Sequence, residues 1–117
     1  MKIIIETIGQ DAQRYETMGD WFYDEDGTLQ IKVSESVWVG DTGKFLIAIH
    51  ELVEAWLCRE RGITQEQVDE WDCKMHNPDG EPGDMHGCPY GKEHRFAMLI
   101  EHLIAHELGL KDYGVVR

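Results

Sequence analysis

The stretch Phe45-Leu46-Ile47-Ala48-Ile49-His50-Glu51-Leu52-Val53-Glu54-Ala55-Trp56-Leu57-Cys58-Arg59 repeats apolar residues at helical spacing. Phe45, Ile49, Leu52 and Trp56 form one stripe, widened by Leu46 and Val53, and the pattern predicts a buried helix. At about 100° per residue, His50 and Glu54 fall together on one flank of that stripe, beside Leu46 and Leu57, and Glu51 points further round. Two metal-ligating side-chain types thus stand one helical turn apart, with a second carboxylate beside them. An unpaired carboxylate in the middle of a buried helix carries a large desolvation cost, which a cation removes. The bland alternative is a half-exposed polar face with no ligand, common in a Glu-rich chain.

His50 to Glu54 resembles the zinc-binding helix of the zincin metallopeptidases, His-Glu-x-x-His, with Glu54 in place of the second histidine. The resemblance implies His50 as the first ligand and Glu51 as the general base, with Glu54 ligating through a carboxylate oxygen. A third ligand then comes from a later segment, and one more histidine restores the His, His, Glu composition of a catalytic zinc site.

The last helical stretch, Glu93 to Leu108, carries its own apolar stripe through Phe96, Leu99, Ile100 and Leu103. His94 and Glu101 share one flank of it, and His102 and His106 the other. If the two apolar stripes pack together, only one flank faces His50 and Glu54. His94 is the expected third ligand, because it follows a Gly-rich loop where a cleft stays open, and Glu101 is then an acceptor that orients a ligand imidazole. The pair His102 and His106 has ligand spacing of its own but reads more simply as a solvated face.

At 117 residues the chain fits a single domain, residues 1–117, with a β-rich part over 1–40 and a helical part over 41–117 that includes a loop at 76–91. A net charge of −12 argues against nucleic acid as a partner. No apolar run is long enough to span a bilayer, and the first residues lack a signal peptide, so the expected compartment is the cytoplasm. Three cysteines without a secretory signal make poor material for a disulfide framework. Cys58 reads as a core residue. Cys73 and His76, then His86 and Cys88, bracket a Gly- and Pro-containing loop at a spacing that could close a second, structural zinc site, or that gathers these residue types by chance.

Lys2 to Ile8 reads as a strand, and Asp20 to Val33 as a hairpin turning at Asp26-Gly27. Asp41 or Thr42 is expected to cap the first long helix and Gly62 to end it, while Thr64-x-x-Gln67 is a capping box for a second helix through Val68, Trp71 and Met75. The fold class is α+β: a small antiparallel sheet, made of the N-terminal strand and the hairpin, followed by three helices. That order is also the minimal order of a zincin core. The wider chain resembles small phage- and prophage-encoded proteins of unassigned activity, through Gly19-Asp20-Trp21, Asp26-Gly27-Thr28-Leu29, His50 to Glu54, Lys92-Glu93-His94 and Ala105 to Gly109. This implies a phage-related origin and leaves the chemistry open.

The sequence therefore leads to a metal-dependent hydrolase acting on a peptide or amide bond, with Zn²⁺ or another divalent transition metal held by His50, Glu54 and His94. A fourth position stays open to water, whose pKa such an ion lowers toward neutrality, and Glu51 takes its proton. If Asp72 or Glu101 fills that position, the site is structural. The alternative is a small acidic phage-type binding protein with a structural metal, presenting its charged face to a host protein. A third reading has no metal and histidines satisfied by hydrogen bonds. Oligomeric state leaves no mark in the pattern.

Overall fold

The computed structural model describes residues 1–38, 40–74 and 81–113. Three strands come first, β1 (Ile3–Ile8), β2 (Gly19–Tyr23) and β3 (Leu29–Ser34), then three helices, α1 (Gly40–Glu60), α2 (Gln65–Lys74) and α3 (Gly91–Glu107). Short 3₁₀ turns occupy Gln10–Ala12 and Pro82–Asp84. The fold is α+β, as the pattern predicts.

The hairpin forms because Gly27 takes a positive φ of 77° while the Asp24 carboxylate accepts hydrogen bonds from the amides of Asp26 and Thr28 at 2.9 and 3.0 Å. β2 and β3 pair antiparallel from Gly19 opposite Val33 to Tyr23 opposite Leu29. β1 does not join as a third antiparallel strand. It pairs parallel with β3, Ile3 beside Leu29 and Ile8 beside Ser34, so the sheet is mixed, in the order β1-β3-β2. A tight turn forces antiparallel pairing only on β2 and β3; residues 9–18 carry the chain from β1 across the end of β3 to reach β2, and the strand pattern of β1 does not specify direction.

Leu29, Ile31 and Val33 project from the central strand into the core beside Trp21, and α1 lies over β2 and β3. β1 is an edge beyond this cover. Ile3 and Ile5 share the inward face yet remain exposed.

α1 begins at Gly40, so Asp41 and Thr42 lie in its first turn and neither is the cap. Gly62 follows its end as expected, and Thr64 with Gln67 makes the predicted capping box, the Gln67 amide donating to Thr64 Oγ1 at 3.2 Å and the Thr64 amide to Gln67 Oε1 at 2.9 Å. Met75 lies outside the described residues.

The largest departure from the sequence reading concerns which helix faces are inside. The two apolar stripes do not pack together: Phe45 and Trp56 are 49% and 40% exposed, and Phe96, Leu99 and Leu103 are 46%, 53% and 56% exposed. α1 instead buries Leu46, His50 and Glu54 with Ile47, Ala55 and Cys58, and α3 buries His94, Ala97, Glu101 and Ala105. Small residues at Ala97 and Ala105 let the helices approach closely, and the polar groups between them hydrogen-bond to one another, which offsets part of the cost of burying them. The flank that carries the candidate ligands is thus the centre of the interface.

Candidate metal centre

α1 and α3 run antiparallel. Leu46 packs with Ala105 and Tyr113 at one end, and Arg61 donates to Glu93 at 2.7 Å at the other. Between these anchors the helix register brings His50 and Glu54, one turn apart on α1, against His94 and Glu101 on α3. All four are buried.

Three donor atoms converge. His50 Nε2 stands 3.3 Å from Glu54 Oε2 and 3.3 Å from His94 Nδ1, and Glu54 Oε2 stands 2.9 Å from His94 Nδ1. Zinc holds nitrogen and oxygen ligands at about 2.0–2.2 Å, so neighbouring ligands of a tetrahedral site are about 3.3–3.5 Å apart. The triangle has nearly that size.

The far sides of His50 and Glu54 are hydrogen-bonded, while that of His94 faces carboxylates without a hydrogen bond. His50 Nδ1 lies 2.7 Å from Glu101 Oε1, and Glu101 Oε2 accepts from the Tyr113 hydroxyl at 2.6 Å. Glu54 Oε1 accepts from the Trp21 indole N–H at 3.0 Å. His94 Nε2 lies 3.1 Å from Asp84 Oδ1 and 3.5 Å from Glu81 Oε2, off the line of a good hydrogen bond. Carboxylates facing His50 Nδ1 and His94 Nε2 favour the tautomers that carry hydrogen there. His50 Nε2 and His94 Nδ1 then present lone pairs toward each other and toward a carboxylate oxygen. Three electron-rich atoms at such distances need a cation among them, either protons or a metal ion.

The electrostatics agree. Burial works against a charged His50, but the hydrogen bonds to Glu101 and Glu54 and the nearby Glu51 outweigh it and hold its pKa up at about 11. Burial pushes Glu54 up, and the bonds to His50 and His94 pull it down to about 2. His94 is raised too: burial opposes its charge, and Glu54 more than compensates. A metal ion taking this place displaces a proton from His50.

Two glycines seat the site. A Cβ at Gly83 would stand 2.4 Å from His94 Cγ, so only glycine lets the 3₁₀ turn lie on the imidazole, and a Cβ at Gly19 would stand 2.7 Å from Glu51 Cγ. Glu51 is held there at the wall of a small polar cavity that it shares with His50, Glu54, His94, Asp72 and Glu81. The cavity, about 40 Å³, has room for water. Glu51 Oε2 is 3.8 Å from His50 Nε2 and its side chain is 12% exposed. Burial first, then Glu54, pushes the Glu51 carboxyl well above its usual range, while His50 pulls the other way. Asp72, on the same wall, is raised to about 7 by burial against the hydrogen bond it accepts from Tyr90 at 2.5 Å.

The sequence-derived residues divide accordingly. His50, Glu54 and His94 come together with Glu51 beside them, and Glu101 lies behind His50 rather than at the open side. Beside that triangle, two further sets of ligand atoms among the described residues lie within 4.8 Å of one another: His50, Glu51 and Glu54, and His50, Glu81 and His94. Cys73, His86 and Cys88 belong to neither, and His76 lies outside the described residues. Cys73 is exposed at the end of α2, 3.8 Å from the Tyr15 hydroxyl. His106 is exposed, and the His102 ring packs edge-on to Tyr113. Trp21, Tyr113, Glu81 and Asp84 escape the sequence reading. Trp21 alone carried a signal, as the apolar residue of the Gly19-Asp20-Trp21 piece on a strand facing α1.

Replacing Trp21 by Phe keeps a ring in the core but removes the donor to Glu54. If zinc occupies the triangle, its affinity should fall about 10- to 100-fold with the fold retained, read by competition with a chromophoric chelator. Unchanged affinity would assign Trp21 to packing alone.

No protein-family model, curated protein or solved structure matches the chain. Among the described residues, no helix is long and apolar enough to cross a membrane.

Proposed function

We propose that this chain is a metal-dependent hydrolase of zincin-like type, acting on a peptide or amide bond and phage-related in origin. Zn²⁺ or another divalent transition metal is its ion and His50, Glu54 and His94 its ligands. The observation that carries the proposal is the convergence of three potential ligand atoms 2.9–3.3 Å apart, those of His50 and Glu54 backed by Glu101 and the Trp21 indole N–H, beside a cavity with a further carboxylate on its wall. A structural site closes on four protein ligands, whereas this triangle opens on space for water.

When bound, the ion supplies an acidified water and a Lewis acid for the scissile carbonyl. The residues do the rest. Glu51 accepts the proton of the attacking water as the new C–O bond forms, and returns it to the amine nitrogen as the C–N bond breaks. Glu101 and Tyr113 fix the His50 ring, and Trp21 fixes Glu54.

One observation favours a second reading, an acidic binding protein of a host partner with a structural metal. Glu51 belongs to the converging group with His50 and Glu54, and as a fourth ligand it would close the site. A screen of peptide and amide substrates separates the two. The hydrolase turns over a substrate, loses that turnover in chelator and regains it with zinc; turnover indifferent to chelator, or none across the screen, counts against it.

A further inference from the structure

We propose that the outer face of α3 is the two-fold interface of a homodimer. α3 turns Glu101 and Ala105 inward, and the opposite side carries Phe96, Leu99 and Leu103, each about half exposed, with Ile100 at the margin. A stripe of three large apolar side chains over two helical turns is costly to leave in water and marks a contact surface.

Charge and spacing name the occupant. The basic residues Lys92 and Arg95 lie at the N-terminal end of the stripe and Glu107 at its C-terminal end, all exposed. If a second α3 lies antiparallel across this face, with the two-fold axis between Leu99 and Ile100, Phe96 meets Leu103 of the second copy. Lys92 then meets Glu107 of the second copy. Both contacts recur by symmetry, as a self-complementary patch requires. A net charge of −12 on each copy sets a general repulsion that a self-contact has to overcome locally. This face is apolar at its centre and carries opposite charges at its two ends. The antiparallel arrangement also sets each helix's positive end beside the other's negative end. The inference is independent of the metal reading, because the stripe points away from His50 and His94.

Sedimentation equilibrium across the micromolar range tests it on the full chain. The expected mass is twice 13.5 kDa. Leu99→Glu places a charge at the two-fold and is expected to raise the dimer Kd about 100-fold or more, with far-UV circular dichroism unchanged because Leu99 is outside the core. Lys92→Glu and Glu107→Lys should each weaken the dimer about 5- to 30-fold, since each pair occurs twice; the double exchange should restore it. A mass of 13.5 kDa throughout would overturn the proposal, as would a dimer indifferent to Leu99→Glu. A double exchange that fails to restore association would overturn the antiparallel register.

Discussion

Glu51→Gln should lower turnover 10²–10⁴-fold, about 3 to 5 kcal/mol of barrier, while metal content and melting stay near those of the parent chain. The amide keeps the size and most of the hydrogen bonding of the carboxylate but accepts no proton. Its seat against Gly19 is unchanged, and Glu51 is not among the three atoms of the triangle. Steady-state kinetics on any substrate found in the screen, beside elemental analysis of the same preparation, read both halves of the result. Loss of the metal along with turnover would make Glu51 the fourth ligand and the site structural. Full activity would remove Glu51 as the base.

The second large effect is on stability. Glu54→Ala removes the acceptor shared by His50, His94 and the Trp21 indole, leaving buried donors and charge unpaired. Breaking a buried ion pair in this way costs on the order of 3–5 kcal/mol, and the stabilisation contributed by a bound ion disappears as well. His50→Ala and His94→Ala should also release the metal, with a smaller loss of stability, because each leaves fewer partners behind. Chemical denaturation with and without zinc measures the two parts separately: zinc should stabilise the parent chain and none of the three variants. His102→Ala and His106→Ala should behave as the parent does, and loss of metal from those two instead would move the centre to the other side of α3.

The buried His/Glu cluster was legible because helices preserve spacing. Residues four apart on α1 and seven apart on α3 share a face whatever the surroundings, so His50 with Glu54, and His94 with Glu101, were visible as pairs. What the spacing could not show was which face is inside. The most apolar stripe is usually buried, but here α1 and α3 meet through small residues and a hydrogen-bonded polar cluster, and Phe45, Trp56, Phe96, Leu99 and Leu103 stay outside. The direction of β1 was hidden for a related reason: its Ile-rich pattern suits a parallel or an antiparallel neighbour equally. Trp21, Tyr113, Glu81 and Asp84 reach the site only through tertiary folding. Tyr113 lies beyond the end of α3, and no local pattern announces that it returns to bond Glu101.

The central claim is that a metal ion, rather than protons alone, sits among His50 Nε2, Glu54 Oε2 and His94 Nδ1. Elemental analysis of protein purified without chelator or added metal tests it most directly. The account predicts about one zinc or other divalent transition-metal ion per chain, lost in His50→Ala, Glu54→Ala and His94→Ala, as expected when binding energy is coupled to a preformed ligand set. Folded protein that carries no metal, and whose melting zinc does not raise, would contradict it.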